Sequence, residues 1–222
     1  VSVRAKDAKV RADAAARGAL LTPIAKAFST DIGNEMAYLG VQIHGGMGFI
    51  EETGAAQHYR DARITSIYEG TNGIQSIDLV SRKLAANGGA AVWGLLDELS
   101  GIVKKVEASN DPAFGTSGAK LRDALASLDR SSKWLLERVT SAPNDALAGS
   151  TPYLRLFGST LGGCMLANEA LAAKSNRDAG GDPQRYVTLA RFFAENISVQ
   201  APSLEKTVID SADAVNAADA VL

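Results

Sequence analysis

The residues with the most chemistry in them fall in one stretch, Val41 to Gln75, which holds six of the 21 glycines and both histidines, His44 and His58. Within Ile67-Tyr68-Glu69-Gly70-Thr71 a carboxylate stands at the entry to a helix, between an aromatic residue and a glycine. Shielded from water on one side, Glu69 would serve as a general base. Gly70 beside it would let a ligand approach the backbone closely. The plainer account of the same residue is a glutamate favoured near a helix N-terminus by the dipole. His44, just ahead of Gly45-Gly46, reads as a helix-end residue. Two histidines make no metal site without further ligands at suitable spacing, so no metal is expected. Arg60 and Arg63, with Asp61 between them, read as ion-paired or solvated groups. Gly45, Gly46 and Gly48 have the look of a phosphate-cradling loop, but they follow a helix and not a strand, which argues against a dinucleotide fingerprint.

The elements that must position this stretch are helical. Residues 3–19, rich in Ala, Lys and Arg, read as an exposed helix, and Thr22-Pro23 as the cap and first residue of the next one. Ile32, Met36, Leu39 and Ile43 then step by three and four residues as one stripe, which Gly45-Gly46 stops. Residues 47–54 read as loop and 55–62 as a short helix. Thr71 or Asn72 caps a further helix with Ile74, Ile77 and Leu84 on one face. Asn87-Gly88-Gly89 ends it and is the expected domain boundary, dividing residues 1–86 from 87–222.

Downstream the pattern is more regular. Val92–Val106, Leu121–Val139, Leu154–Leu171 and Tyr186–Ile197 each carry apolar residues at steps of three and four. Polar connections separate these runs, so an antiparallel bundle of four helices is expected, packed on the 1–86 helices as a separate lobe. All six prolines are expected outside helix interiors. Val208, Ala212 and Val215 allow one last helix. No run alternates cleanly, so the fold class expected is all-α with no sheet.

Composition removes several functions. With 46% hydrophobic and 22% charged residues the chain has the make-up of a globular protein. A net charge of -2 offers no footprint for nucleic acid or an anionic membrane. The single Cys164 excludes an internal disulfide framework and a cysteine-based zinc site. No apolar run reaches the roughly 20 residues of a membrane span. Without a secretory signal the expected location is cytoplasmic. A start at Val1, inside a helical pattern, suggests the end of a longer chain.

Two motifs, Q-I-H-G-G-x-G-F at Gln42–Phe49 and R-D-A-R-I-x-x-I-Y-E-G-T at Arg60–Thr71, give the stretch a strong resemblance to the C-terminal helical domain of the FAD-dependent acyl-CoA dehydrogenases. With its flanking helices the resemblance covers about residues 1–86. By order and pattern the rest is similar to the helical extension of a long-chain-length subgroup. The resemblance implies that Glu69 is the catalytic base, removing the α-proton of an acyl-CoA thioester while a hydride leaves the β-carbon for the flavin. It further implies that the backbone N–H of Glu69 helps to hold the thioester carbonyl, that Tyr68 and Gly70 meet substrate, and that Thr71 contacts FAD. Gln42, Gly45 and Gly46 match contacts to the adenine-side half of FAD in a neighbouring subunit, implying a homo-oligomer. Electron-transfer flavoprotein is the implied electron acceptor. Many relatives carry Gln two residues after the threonine, and this chain has Gly73 there, which puts that flavin contact in doubt. The N-terminal helical and middle β-domains of the family are not in these 222 residues, so a fragment inactive on its own is expected. The alternative is a non-catalytic helical oligomerisation module, its glycine loop serving only as a turn.

Overall fold

A computed structural model describes residues 3–175 and 182–218. Among the described residues there is no strand; the chain is a set of packed helices. The first, α1 (Ala8–Ile43), is 36 residues long. Asp7 caps it, accepting from the N–H groups of Lys9 and Val10. Short elements follow: α2 (Gly46–Phe49), α3 (Ala55–Arg63) and α4 (Asn72–Asp78), the last running into a π-helical turn at Leu79–Leu84. Then come α5 (Ala90–Ala108), α6 (Ser117–Ser141), α7 (Pro143–Ala148), α8 (Ser150–Ser175), α9 (Pro183–Asn196), α10 (Ala201–Asp210) and α11 (Ala212–Ala218). The four long downstream helices match the four periodic runs.

Helix α1 departs from expectation in two ways. Residues 8–43 are one helix, and Pro23 lies inside it instead of starting a second. The Thr22 hydroxyl does not cap; it donates to the Gly18 carbonyl one turn back, at 2.7 Å. Burial of Leu20, Pro23, Ile24 and Ala27 against the other helices holds the segment straight enough to keep the proline, so packing overrides a local breaker. The stripe expected to be buried is the other departure: Met36, Leu39 and Ile43 are exposed and Ile32 is half-buried. Ile74 and Ile77 on α4 are exposed as well, leaving Leu84 as the buried member of that expected face.

Downstream the seam closes. Val92, Leu96, Leu99, Val103 and Val106 are all buried, as are Leu121, Leu128 and Leu135 opposite them. On α9 the buried stripe is Val187, Ala190 and Ala194, while Leu189 is exposed and the Phe193 ring lies against Gly162 and Gly163 of α8. Val208 and Ala212 are buried and Val215 is not; residues 219–222 of the expected last helix lie outside the described residues.

The downstream helices do not keep a core to themselves. One contiguous core runs from Leu20 and Ile24 through Leu79 and Val80 to Leu99, Phe157 and Val208. Its centre is α8, whose Gly158 takes the ring of Phe28: a Cβ there would stand 2.4 Å from the ring. Among the described residues no helix is long and apolar enough to cross a membrane.

Candidate active site

The turn between the 3-10 segment Ile64–Ser66 and α4 is the most strained piece of backbone in the stretch. Glu69 has φ 55° and Gly70 has φ 87°, two left-handed residues in succession. Glycine takes that region freely, whereas a glutamate pays a steric penalty of about 1–2 kcal/mol. The other non-glycine residues with positive φ, Asn87 and Asn110, are asparagines, which tolerate it. Strain of this kind persists only where surrounding contacts over-determine it.

Those contacts come from both sides. The side-chain amide of Gln75 donates to the Glu69 carbonyl at 3.1 Å. The Lys26 ammonium, reaching from α1, donates to the Gly70 carbonyl at 2.9 Å and to Asn72 Oδ1 at 2.8 Å. It also stands 5.9 Å from the centre of the Tyr68 ring, within cation–π range. The Asn72 amide nitrogen donates to Asp31 Oδ1 at 2.6 Å and to the Thr30 hydroxyl at 2.9 Å. Thr71 caps α4, its hydroxyl accepting from the Ile74 N–H at 3.4 Å. Among the described residues the Glu69 N–H forms no hydrogen bond, so it is free to donate outward.

Around this turn the surface is apolar and uncovered. Among the described residues 19 large hydrophobic residues are exposed and 13 of them fall between Met36 and Ile77 in the sequence; Ile64, Ile67, Tyr68 and Ile74 are those within five residues of Glu69. A patch this rich on a helical scaffold marks a surface that something else covers. The Glu69 side chain is exposed in the same patch. A cleft of about 450 Å³ between α1, α4, α8 and α10 is lined by Phe28, Asn72, Gly73 and Arg155 among others, but not by Glu69. Gly73 brings no side chain to that cleft.

The other residues singled out in the sequence sit elsewhere. Tyr68, Glu69, Gly70 and Thr71 share the strained turn, level with Lys26 on α1. Gln42 lies sixteen residues further along that helix, roughly 24 Å at the usual rise per residue. Gln42, Gly45 and Gly46 are exposed together where α1 gives way to α2. Gly45, at φ 60°, ends α1, and no atom lies within 4 Å of where a Cβ on Gly45 or Gly46 would stand. His44 is the helix-end residue expected, its Nδ1 2.8 Å from the Gly40 carbonyl. Arg60 pairs with Glu51 at 3.3 Å and Arg63 donates to the Ser66 hydroxyl at 2.6 Å. Cys164 is no nucleophile: burial pushes its thiol up to about 12.

The sequence does not mark Lys26, Asp31 or Gln75 as parts of this site. Lys26 looks like any lysine of an amphipathic helix, and its partners lie 44 and 46 residues away.

A helical scaffold with a strained, carboxylate-bearing turn among exposed apolar residues is what the described residues present. Comparisons with known proteins give its family. Residues 4–84 match the model of the acyl-CoA dehydrogenase C-terminal domain, and residues 95–219 match the model described as acetyl-CoA dehydrogenase C-terminal like. The 3-methylmercaptopropionyl-CoA dehydrogenase of Ruegeria pomeroyi is 38% identical over 210 residues, which is 93% of this chain and 36% of the relative. The broad-specificity linear acyl-CoA dehydrogenase FadE5 of Mycobacterium tuberculosis is 30% identical over 193 residues, 80% of this chain and 31% of the relative. The crystal structure of Caenorhabditis elegans ACDH-11 in complex with C11-CoA shares the fold, with a TM-score of 0.61 at 22% identity, over 92% of this chain and 34% of that one. The chain belongs to the acyl-CoA dehydrogenase family. It spans about a third of the length of the curated relatives it matches.

Proposed function

We propose that the full-length protein carrying this chain is an FAD-dependent acyl-CoA dehydrogenase in which Glu69 takes the α-proton of an acyl-CoA thioester. The observation that carries this is the strained turn. A glutamate held at φ 55°, with a free N–H and an exposed carboxylate beside Tyr68, is costly for a mere helix cap and useful for a base. The thioester carbonyl gains negative charge as the proton leaves, and the Glu69 N–H is a donor able to meet it. Tyr68 and Gly70 border the acyl chain.

The residues present fit a flavin. Thr71 lies next to the turn, and Gln42, Gly45 and Gly46 offer exposed backbone with open space above it. Bound there, FAD supplies a two-electron acceptor for the β-hydride. Since Gln42 stands roughly 24 Å along α1 from the level of Glu69, we assign Gln42, Gly45 and Gly46 to a flavin held mainly by a neighbouring subunit. That makes the protein a homo-oligomer; electron-transfer flavoprotein is the electron acceptor that the family resemblance implies. Sedimentation of the full-length protein as a monomer would count against this assignment. In this reading the matched ranges 4–84 and 95–219 are two parts joined at Asn87-Gly88-Gly89, and the 222 residues alone do not turn over.

The test is reduction of the flavin in the full-length protein by a panel of thioesters, linear acyl-CoAs and 3-methylmercaptopropionyl-CoA among them. Glu69→Gln should keep the flavin and slow its reduction about 10²–10⁴-fold, the usual cost of losing a general base. Bleaching at the wild-type rate in the Gln variant would put the base elsewhere. A second reading, a non-catalytic oligomerisation module, has in its favour that Glu69 is exposed and lines no cleft here. It would gain if no thioester bleached the flavin.

A further inference from the structure

We infer that Lys26 is a positioning residue for Glu69, an assignment that rests on the reading of Glu69 as the base. The Glu69–Gly70 turn is left-handed at both residues, and each of its two carbonyls accepts from a side chain. Gln75 holds the Glu69 carbonyl from α4, the helix that the turn itself begins. Lys26 ties the Gly70 carbonyl directly to α1. It stands on α1 between Ile24 and Ala27, both buried, and its half-buried stem rises from the core to the turn. One ammonium proton goes to the Gly70 carbonyl and another to Asn72 Oδ1.

Asn72 is itself oriented. Its amide nitrogen is spent on Asp31, Thr30 and the Ala27 carbonyl, which turns its oxygen toward Lys26. The chain of contacts therefore runs Asp31, Asn72, Lys26, Gly70, with Asp31 and Lys26 on one helix and Asn72 and Gly70 bonded to it. Its end point is the peptide adjoining Glu69. Losing the ammonium frees the Gly70 carbonyl and lets a disfavoured φ at Glu69 relax. The carboxylate and the N–H of Glu69 then move together away from where proton and carbonyl must be met, and small misplacements of this kind cost large factors in rate. The Tyr68 ring, under the same ammonium, shifts with them.

The experiment uses Lys26→Met, Lys26→Gln and Lys26→Arg in the full-length protein. In single-turnover reduction of the flavin by acyl-CoA, Lys26→Met should lower the limiting rate about 10–100-fold. Flavin content and the substrate concentration giving half the limiting rate should stay within about twofold. Lys26→Arg, which keeps donors for a carbonyl, should recover most of the rate. Hydrogen exchange, read without substrate, should speed up in the Met variant at Tyr68 and Gln75, whose amides are hydrogen-bonded on either side of the turn, and not in α5 or α8. A wild-type limiting rate in Lys26→Met overturns the assignment. So does a loss of rate that follows a loss of flavin in both the Met and the Gln variants, which would make Lys26 structural. If Glu69→Gln reduces its flavin normally, the base assignment fails instead, and local exchange still reports whether Lys26 holds the turn.

Discussion

Two runs of helix with the same apolar rhythm end in opposite states. Val92, Leu96, Leu99, Val103 and Val106 on α5 are buried, and α6 and α8 close over them. Met36, Leu39 and Ile43, spaced in the same way on α1, are exposed, as are Phe49, Ile67 and Tyr68. The first run buries its face within this chain; the second leaves its face exposed. Periodicity marks a face that must be covered, and it is silent on what does the covering. The polar groups divide the same way. In the bundle, Ser132 and Tyr153 share a buried hydrogen bond of 2.8 Å. Upstream, Glu69 is exposed and its N–H has no hydrogen-bond partner among the described residues.

The largest effect that would break this comparison is the loss of general-base catalysis in Glu69→Gln, with Lys26→Met one step milder. In the bundle the contrast can be read as stability. Phe157 is fully buried against Tyr153, ring centres 5.8 Å apart. Phe157→Ala should cost about 3–5 kcal/mol, the lost transfer energy plus the cavity left behind. Met36→Ala, which removes a residue 51% exposed, should stay within about 0.5 kcal/mol. Denaturant unfolding followed by Trp93 and Trp134, the only two tryptophans, reads both. Equal losses at the two positions would mean that the upstream face is packed after all.

Much of this was legible in the sequence where one helix decides its own fate. The all-α class, the breaks at Gly45 and at Asn87-Gly88-Gly89, and the seams of α5, α6 and α8 follow from local spacing and glycine placement. Two things were not. Pro23 lies within α1 because Leu20, Ile24 and Ala27 are buried around it, and a cap signal at Thr22 carries no information about tertiary packing. The support of Glu69 is long-range: Lys26 meets residues more than forty positions away, and no helical period encodes that. The motif around Glu69 could be read from the resemblance, yet its left-handed backbone could not, since tyrosine, glutamate and glycine in a row do not by themselves specify φ.

The smallest effect belongs to a latch that the bundle could lose without unfolding. Arg130 on α6 holds Glu205 on α10 through two parallel hydrogen bonds, Nε to Oε1 at 2.5 Å and Nη2 to Oε2 at 2.7 Å. These bonds keep the Glu205 carboxyl below its ordinary range, against a smaller opposing push from burial. A carboxyl whose folded pKa is depressed binds fewer protons in the folded state than in the unfolded one. Its stabilisation is therefore complete above the unfolded value, about 4.3, and disappears as pH falls through the folded value. Glu98, held by Arg17, and Glu195, held by the Thr116 N–H and hydroxyl, move in the same direction, so their contributions also fade in acid. The difference between wild type and Glu205→Gln isolates the latch. Because the Arg130 side chain is 56% exposed, the difference at pH 7 should be about 1 kcal/mol or less. It should hold steady down to about pH 5 and shrink below that. Unfolding curves that stay the same distance apart down to pH 3 would show that Arg130 does not hold Glu205 through its charge, and that α10 is fixed by Ala201 and Val208 in the core alone.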